Sequence, residues 1–359
     1  MLVSIIITNF NYAKFVKTAI ESALAVQWDE VEVIVVDDES TDASCEIIAS
    51  FLPKIASLRQ AHAGQRVAYN TGFRSSRGEL IIFLDADDTL EPSIVADVLP
   101  YVREGVSKIQ VQMNVIDAFG VSVGSRFPQY KMAPTPDLIR RWYLASGSYP
   151  TPPGSGNVYT RAYLNRIFPL DDSCGEAGDS SCIAAAPLLG NVHTILKPLV
   201  NYRVHGANHG AFSELVVGRF AREVTRTLKC FNYSQHIASY TGLEFSPAAI
   251  MKSMMLLPYR TSSFRLAPEM HPIQNESSRR ILADALAGCS TPQGLTGSSS
   301  LIIVLWVVLV LVLPLSAAKR LIMWRFSVAS RPELITRVLQ FVGVLSKGAK
   351  STGVKPVVF

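Results

Sequence analysis

Three aspartates close the run LIIFLDADDTLEP (residues 80–92): Asp85, Asp87 and Asp88 follow directly on five apolar residues. Like charges held this close repel, and the arrangement costs stability unless a cation or another partner sits among them. Carboxylate oxygens are hard donors, suited to Mg2+ or Mn2+ with positions left for phosphate and water. A second acidic pair, Asp37-Asp38, ends the apolar run VEVIVVD (31–37), and Thr8-Asn9 ends VSIIIT (3–8). The plain alternative is that such acids cap turns and helix starts. Asp88 and Asp42 fit that alternative best.

Positioning these groups requires a scaffold, and the first 120 residues alternate strand-like and helix-like runs. After VSIIIT comes YAKFVKTAIESALA (12–25), with Phe15, Ile20 and Leu24 at helical spacing. VEVIVVD is a second strand, and Thr41-Asp42 is placed to cap the helix DASCEIIASFL (42–52). LRQAH (58–62) reads as a third strand, QRVAYNTGFRSS (65–76) as a helix and LIIFLD (80–85) as a fourth strand. Such alternation predicts βαβ crossovers and a parallel sheet with helices on both faces. Ligands of such sheets bind beyond the carboxyl ends of the strands. Here Thr8-Asn9, Asp37-Asp38 and Asp85–Asp88 lie at those ends, which predicts a nucleotide-sized crevice. Further on, PTPDLIRRWYLASG (134–147) reads as a helix and YPTPPGSGNVYT (149–160) as a loop entering a strand. A helix around Asp179–Leu189, a strand-rich VHTILKPLVNYRVHG (192–206) and a mostly helical stretch over 212–287 follow, the last with Val216, Phe220 and Val224 at helical spacing. TPQGLTGSSS (291–300) reads as a linker.

Hydrophobic residues make up 48% of the chain and charged residues 18%, a balance that is rich for a purely soluble protein. Part of the excess lies in LIIVLWVVLVLVLPLSAA (301–318), with no charge over a length near the minimum for a bilayer span. The net charge of +5 is also local, since eight Lys/Arg against Glu333 from Lys319 onward leave the remainder at −2. A basic tail after an apolar helix suits anionic lipid headgroups. The acidic front and the lack of a binding motif exclude nucleic acid as a partner. Five scattered cysteines without CxxC spacing predict free thiols in a reducing compartment. MLVSIIITNF (1–10) has no basic start and no cleavage site, and reads as a first strand rather than a signal peptide.

The segments VSIIITNFNYAKFV, VIVVDDESTD, GQRVAYNTGFRSSRGELIIFLDADD and AGDSSCIAAAPLLGNVHTILKPLVNYRVHG follow one another in this order over about the first 210 residues. Together they resemble the family 2 glycosyltransferases, inverting enzymes of the GT-A fold, of the kind that builds bacterial cell-surface polysaccharides. A receiver domain would carry its acidic pair after the first strand and would end well before residue 192. The resemblance implies a Rossmann-like α/β domain, mostly parallel, and transfer of a sugar from a nucleotide-sugar, favouring a UDP-sugar, to a hydroxyl of a glycan or lipid-linked acceptor. Asp85-Ala86-Asp87 matches the family's DxD motif, so Asp87 is expected to hold Mn2+ or Mg2+ directly. Asp85 is expected to contact ribose, or the metal through water. Asp38 matches the acid that accepts from the uracil ring N–H, with Thr8 and Asn9 beside the base. Asn70, Gly72 and Arg77 lie on the helix-turn before the DxD strand, Arg77 within reach of a diphosphate or of an acidic neighbour. The family's base is usually the second acid of a Glu-Asp pair. The pair here is Gly178-Asp179, which gives Asp179 the role and leaves Glu176 as the fallback. His205 in YRVHG is expected to complete the metal shell, with Arg203 as an alternative phosphate ligand.

These expectations divide the chain into a GT-A domain (1–211), a helical extension and linker (212–296), a membrane-associated helix (297–326) and a basic amphipathic tail (327–359). Sugar nucleotides are cytosolic, so the catalytic domain is expected to face the cytosol. A complete single span would then carry the basic tail outward, against the positive-inside rule. A bend near Pro314 that returns the chain, or lays it in the membrane plane, resolves the conflict, as does a crossing that pairs with a partner or with a second helix such as ITRVLQFVGVLS (335–346). No Gln-x-x-Arg-Trp motif occurs, which favours single-sugar addition over processive synthesis. The alternative from another class is an inactive relative serving as a membrane scaffold.

Overall fold

A computed structural model of the chain describes residues 1–205, 216–327 and 332. The first elements are β1 (Val3–Asn9), α1 (Val16–Leu24), β2 (Val31–Asp37), α2 (Ser44–Ala49), β3 (Ala56–Arg59), α3 (Gln65–Ser75) and β4 (Leu80–Asp85). They alternate as the apolar runs predict, and Ile5–Ile7, Val33–Val36 and Leu80–Leu84 are buried. β5 (Thr89–Leu90), α4 (Ile94–Val98), β6 (Val106–Ile116), β7 (Ser122–Phe127), α5 (Pro136–Ser146), β8 (Asn157–Thr160), α6 (Arg161–Leu164), α7 (Gly178–Leu189) and β9 (Asn191–Arg203) follow.

The sheet runs β3-β2-β1-β4-β8-β6-β9-β5, with β7 off this path. Its first four strands are parallel, as are β6 and β9, whereas β8 runs antiparallel to both neighbours and β5 runs antiparallel to β9. The mostly parallel expectation therefore holds for the first half and gives way to a mixed sheet in the second. Alternating polar residues disguise the second half, because β6 reads VSKIQVQMNVI, the pattern of a half-solvated strand. Lys108, Gln110 and Gln112 are nonetheless buried. Each has internal partners: Lys108 Nζ donates to Thr151 Oγ1 (2.7 Å), Gln110 Nε2 to Thr194 Oγ1 (3.0 Å) and Tyr130 Oη (2.8 Å), and Gln112 Nε2 to the Pro128 carbonyl (3.0 Å).

The chain forms two compact units, one of residues 1–116, 126–137 and 151–203, the other of 117–125, 138–150 and the described residues from 204 onward. The second unit contains α8 (Val217–Thr241), α9 (Leu257–Leu266), α10 (Ser278–Ser290), α11 (Gly297–Val312) and α12 (Leu315–Phe326). Phe220 and Val224 are buried on α8 as their spacing predicts, while Val216 lies outside the helix and is exposed. Inside this unit Arg260 is fully buried. It pairs with Glu276 (2.5 and 2.9 Å) and Asp284 (2.8 Å) and donates to the Met251 carbonyl (3.1 Å). Burial alone would raise the Glu276 carboxyl, but hydrogen bonding from His271 and pairing with Arg260 hold it down at about 2. A depressed carboxyl stabilises the fold above its unfolded value, here 4.5, and that contribution disappears as pH falls toward 2. Glu276→Gln should therefore flatten the stability–pH curve below about 4.5, read by denaturant titration at a series of pH values.

The apolar stretch over 301–318 is not one long helix. Among the described residues no helix is long and apolar enough to cross a membrane. α11 has 16 residues and ends before Pro314, which has no N–H to continue it. Arg265 of α9 takes its last carbonyls, donating from Nε to Val310 O (3.2 Å) and from Nη2 to Leu313 O (2.9 Å). The chain then turns into α12, where Trp306 Nε1 donates to Leu321 O (3.2 Å), and Val310 packs with Ala318 and Ile322. The membrane-associated helix expected over 297–326 is thus two shorter helices folded on each other, with the bend at Pro314. The amphipathic tail read over 327–359 lies outside the described residues apart from Ser327 and Pro332.

Candidate active site

Pairing register brings the polar strand ends to one edge of the sheet, with Thr8 of β1 opposite Asp85 of β4 and Asn9 opposite Asp37 of β2. Asn9 Nδ2 donates to Asp37 Oδ2 (2.8 Å) and Ser40 Oγ (3.0 Å), and Ser40 N donates to Asp37 Oδ1 (2.9 Å). Asp37 is therefore the turn-supporting member of its pair. Asp42 accepts from Ser44 N (3.0 Å) and Ala13 N (2.9 Å) just before α2, whose N-cap position itself falls on Ala43. Asp38 is buried and accepts from Gln60 Nε2 (2.7 Å), Ala63 N (3.0 Å) and Gly64 N (2.8 Å), with His62 Nδ1 also 2.9 Å away. Burial opposes its ionisation, but the hydrogen bonds from Ala63, Gln60 and Gly64 hold its carboxyl below the usual range.

Asp85, Asp87 and Asp88 bring one carboxylate oxygen each within 4.8 Å of the others. An ion that binds oxygens at about 2.0–2.6 Å cannot bridge donors more than about 5 Å apart, so the spacing of this group suits a divalent cation. Its electrostatics point the same way. Burial, then repulsion from Asp87 and Asp179, pushes Asp85 up to about 8, and burial with the same kind of repulsion raises Asp88. A bound divalent cation would relieve that repulsion. The loop is fastened by β5, which pairs Thr89 with Asn201 and Leu90 with Val200 of β9. There Arg203 N donates to Asp88 Oδ1 (2.9 Å) and Arg203 Nε to the Asp87 carbonyl (2.8 Å), while the guanidinium lies over the Phe15 ring. Asp88 thus locks the loop to β9.

Asp179 stands in the first turn of α7, close to the same acids. Its Oδ2 accepts from Gly154 N (3.0 Å), and a Cβ built on Gly154 would lie 3.6 Å from Asp85 Oδ2 and 3.7 Å from Asp179 Cβ. Both aspartates therefore lie against this one glycine. The loop that carries it is held at several points. Asp85 N donates to Ser155 Oγ (3.1 Å), Lys108 secures Thr151, and Asn157 Nδ2 donates to the carbonyls of Pro152 (3.1 Å) and Pro153 (2.9 Å). Burial pushes the Lys108 amine well below its usual range, against the pull of Asp179. Gln65 bridges β4 and α7, its Nε2 donating to Asp85 Oδ1 (2.8 Å) and its Oε1 accepting from Gly178 N (3.2 Å). Gly178 lies on the buried ring of Tyr69, where an added Cβ would come within 2.7 Å of Cγ. Tyr69 in turn stacks on Phe83 at 3.9 Å and cannot retreat easily. Gly178→Ala should cost about 1–3 kcal/mol of stability, measured by denaturant titration, and should lower turnover by displacing Asp179.

The structure thus gathers Thr8, Asn9, Asp38, Asp85, Asp87 and Asp179 at the carboxyl edge of the sheet. Asn70 has another engagement, donating from Nδ2 to Leu170 O (2.9 Å) and accepting from Leu170 N (2.7 Å). Gly72 lets α3 close onto Ile6 and Val36. Arg77 is not brought to the acids. Its neighbour Gly78 donates to Ser4 Oγ (2.8 Å) at the opposite end of β1, and Arg77 itself is exposed and pairs with Glu32 (3.4 Å). His205, two residues beyond β9, is not a member of the acidic group, and Glu176 is exposed. Gln65 and the Gly154 loop carry no chemical signal in sequence, since a glutamine and a Pro-Gly loop acquire these roles only through the fold. All five cysteines are free thiols.

Comparison with known proteins agrees with this geometry. The model of the family described as Glycosyl transferase family 2 matches residues 4–168. An uncharacterized glycosyltransferase of Nostoc sp. is 32% identical over 215 residues, 58% of this chain and 66% of that protein. The succinoglycan biosynthesis protein ExoO of Rhizobium meliloti is 26% identical over 215 residues, 56% of this chain and 60% of that protein. The aligned segment spans less than two-thirds of either relative. Residues 1–349 of S. aureus TarS, solved in complex with UDP-GlcNAc, superpose with a TM-score of 0.54 over 90% of this chain and 92% of that chain. At 17% identity that likeness concerns the fold, a mixed sheet with helices of the GT-A type.

Proposed function

Because this chain belongs through residues 4–168 to glycosyl transferase family 2, we propose that it moves one sugar, with inversion, from a UDP-sugar to a hydroxyl of a glycan or lipid-linked acceptor in cell-surface polysaccharide assembly. The observation that carries this reading is that Asp85 and Asp179 converge on Gly154, whose N–H donates to Asp179 Oδ2 (3.0 Å) and whose added Cβ would lie 3.6 Å from Asp85 Oδ2. Donor and acceptor chemistry need those two acids at neighbouring positions. Asp87 and Asp85 would hold Mn2+ or Mg2+. When bound, such an ion offsets the negative charge that grows on a departing diphosphate. Asp179 takes the proton of the attacking hydroxyl as the new bond from that oxygen to the anomeric carbon forms. The bond from the anomeric carbon to the diphosphate breaks on the far side, and its electron pair leaves with the diphosphate. The α7 N-terminus favours the ionised carboxylate needed for this role, and Gly154 N fixes one of its oxygens. Thr8 and Asn9 line the base side.

UDP as the carrier is supported by the fold shared with TarS, whose structure holds UDP-GlcNAc, and a polysaccharide product by the name of the Rhizobium relative. The test is thermal stabilisation by UDP and a panel of UDP-sugars, with Mn2+ or with a chelator. A stabilisation that needs the cation is expected. Indifference to every nucleotide would remove the reading.

A further inference from the structure

The face of α11 that points away from its neighbours is unusually apolar. Ile303, Val304, Val307 and Val310 are buried in the cores shared with α9, α10 and α12. On the other side Leu301 is 65% exposed, Leu305 57%, Leu309 37% and Val312 76%. Their spacing places them within one narrow sector of the helix. Leu315 continues the apolar run past Pro314, at 43% exposure. One turn further on, Lys319 and Arg320 are exposed on α12, and no charged residue interrupts the sequence between Gly297 and Ala318.

We propose that this face docks in the plane of an anionic phospholipid surface, with Leu301, Leu305, Leu309, Val312 and Leu315 in the acyl–headgroup boundary and Lys319 and Arg320 among the headgroup phosphates. The inference does not depend on the catalytic reading. Crossing the bilayer would require α11 to surrender its packed face, whereas lying in the interface leaves Ile303, Val304, Val307 and Val310 where they are. An apolar stripe with a basic flank is the pattern of interfacial helices. The charge favours lipid over a second copy of the chain, because Lys319 and Arg320 belong to a segment that carries +7 from residue 319 onward and repels its own kind. Docking in this plane does not itself carry the chain across the bilayer, so no conflict with the positive-inside rule arises.

The full chain should co-sediment with vesicles of mixed phosphatidylcholine and phosphatidylglycerol and not with phosphatidylcholine alone. Leu301→Asp with Leu305→Asp should lower the bound fraction at least about tenfold, since each puts a charge where an apolar side chain met lipid. Lys319→Ala and Arg320→Ala should weaken binding about fivefold each. These side chains are solvent-exposed, so circular dichroism and UDP-sugar hydrolysis should be unchanged. Vesicle binding that ignores the Leu301/Leu305 pair would overturn the proposal. So would no binding at all, or self-association in sedimentation velocity that the same pair abolishes.

Discussion

Asp179→Asn should leave UDP and Mn2+ binding intact and lower sugar transfer about 10²–10⁴-fold, the usual range for losing a general base. The substitution is close to isosteric, and the amide oxygen can still accept from Gly154 N as Oδ2 does now. The loop over 151–157 should keep its place, because Lys108, Asn157 and the Asp85 N–H hold it independently. The loss should therefore fall on kcat, with little change in KM for the donor. Binding titrations with UDP and steady-state rates on a common preparation separate the two. A variant with full turnover would move the base elsewhere, with the exposed Glu176 the next candidate.

Asp87→Ala should remove the cation requirement together with most of the activity, a loss of about 10²–10³-fold if the ion contributes several kcal/mol. Stability should move in the opposite direction. Asp87 is the nearby charge that most raises both Asp85 and Asp88, so its removal relieves repulsion among buried carboxyls. Without metal, the melting temperature of the variant should equal or exceed that of the parent. With saturating Mn2+, the parent should gain stability that the variant does not. Differential scanning calorimetry with and without a chelator reads both effects. A variant destabilised in the absence of metal would make Asp87 a structural residue.

Much of the amino-terminal half can be read from its residues. VEVIVVD and LIIFLD are buried on both faces over most of their length, so their strands coincide with the apolar runs, and the acids at their ends mark the edge where sheets of this kind take ligands. The second half resists such reading for a physical reason. β6 buries Lys108, Gln110 and Gln112 by supplying them with partners from distant segments, and no local pattern announces a partner 43 or 84 residues away. The site divides in the same way. Acid types and spacing single out Asp85 and Asp87 as candidates, and the family resemblance adds Asp179, whereas Gln65 and Gly154 emerge only where α3, β4 and α7 converge. Arg77 illustrates the reverse error. It is three residues from β4 in sequence but sits at the strand's far end, and a six-residue strand separates it from the acids by about 20 Å. The apolar stretch over 301–318 misleads because hydropathy sums both faces of a helix. Pro314 and the Arg265 caps divide it, and Ile303, Val304, Val307 and Val310 on one side of it are core.

Metal-assisted, inverting transfer at these acids is tested most directly by proton NMR of UDP-α-sugar hydrolysis with Mn2+, followed from the first seconds. Water replaces the acceptor, and the released sugar should appear first as the β-anomer, before mutarotation, with no release once the cation is chelated. Initial release of the α-anomer, or hydrolysis that persists in excess chelator, would contradict it.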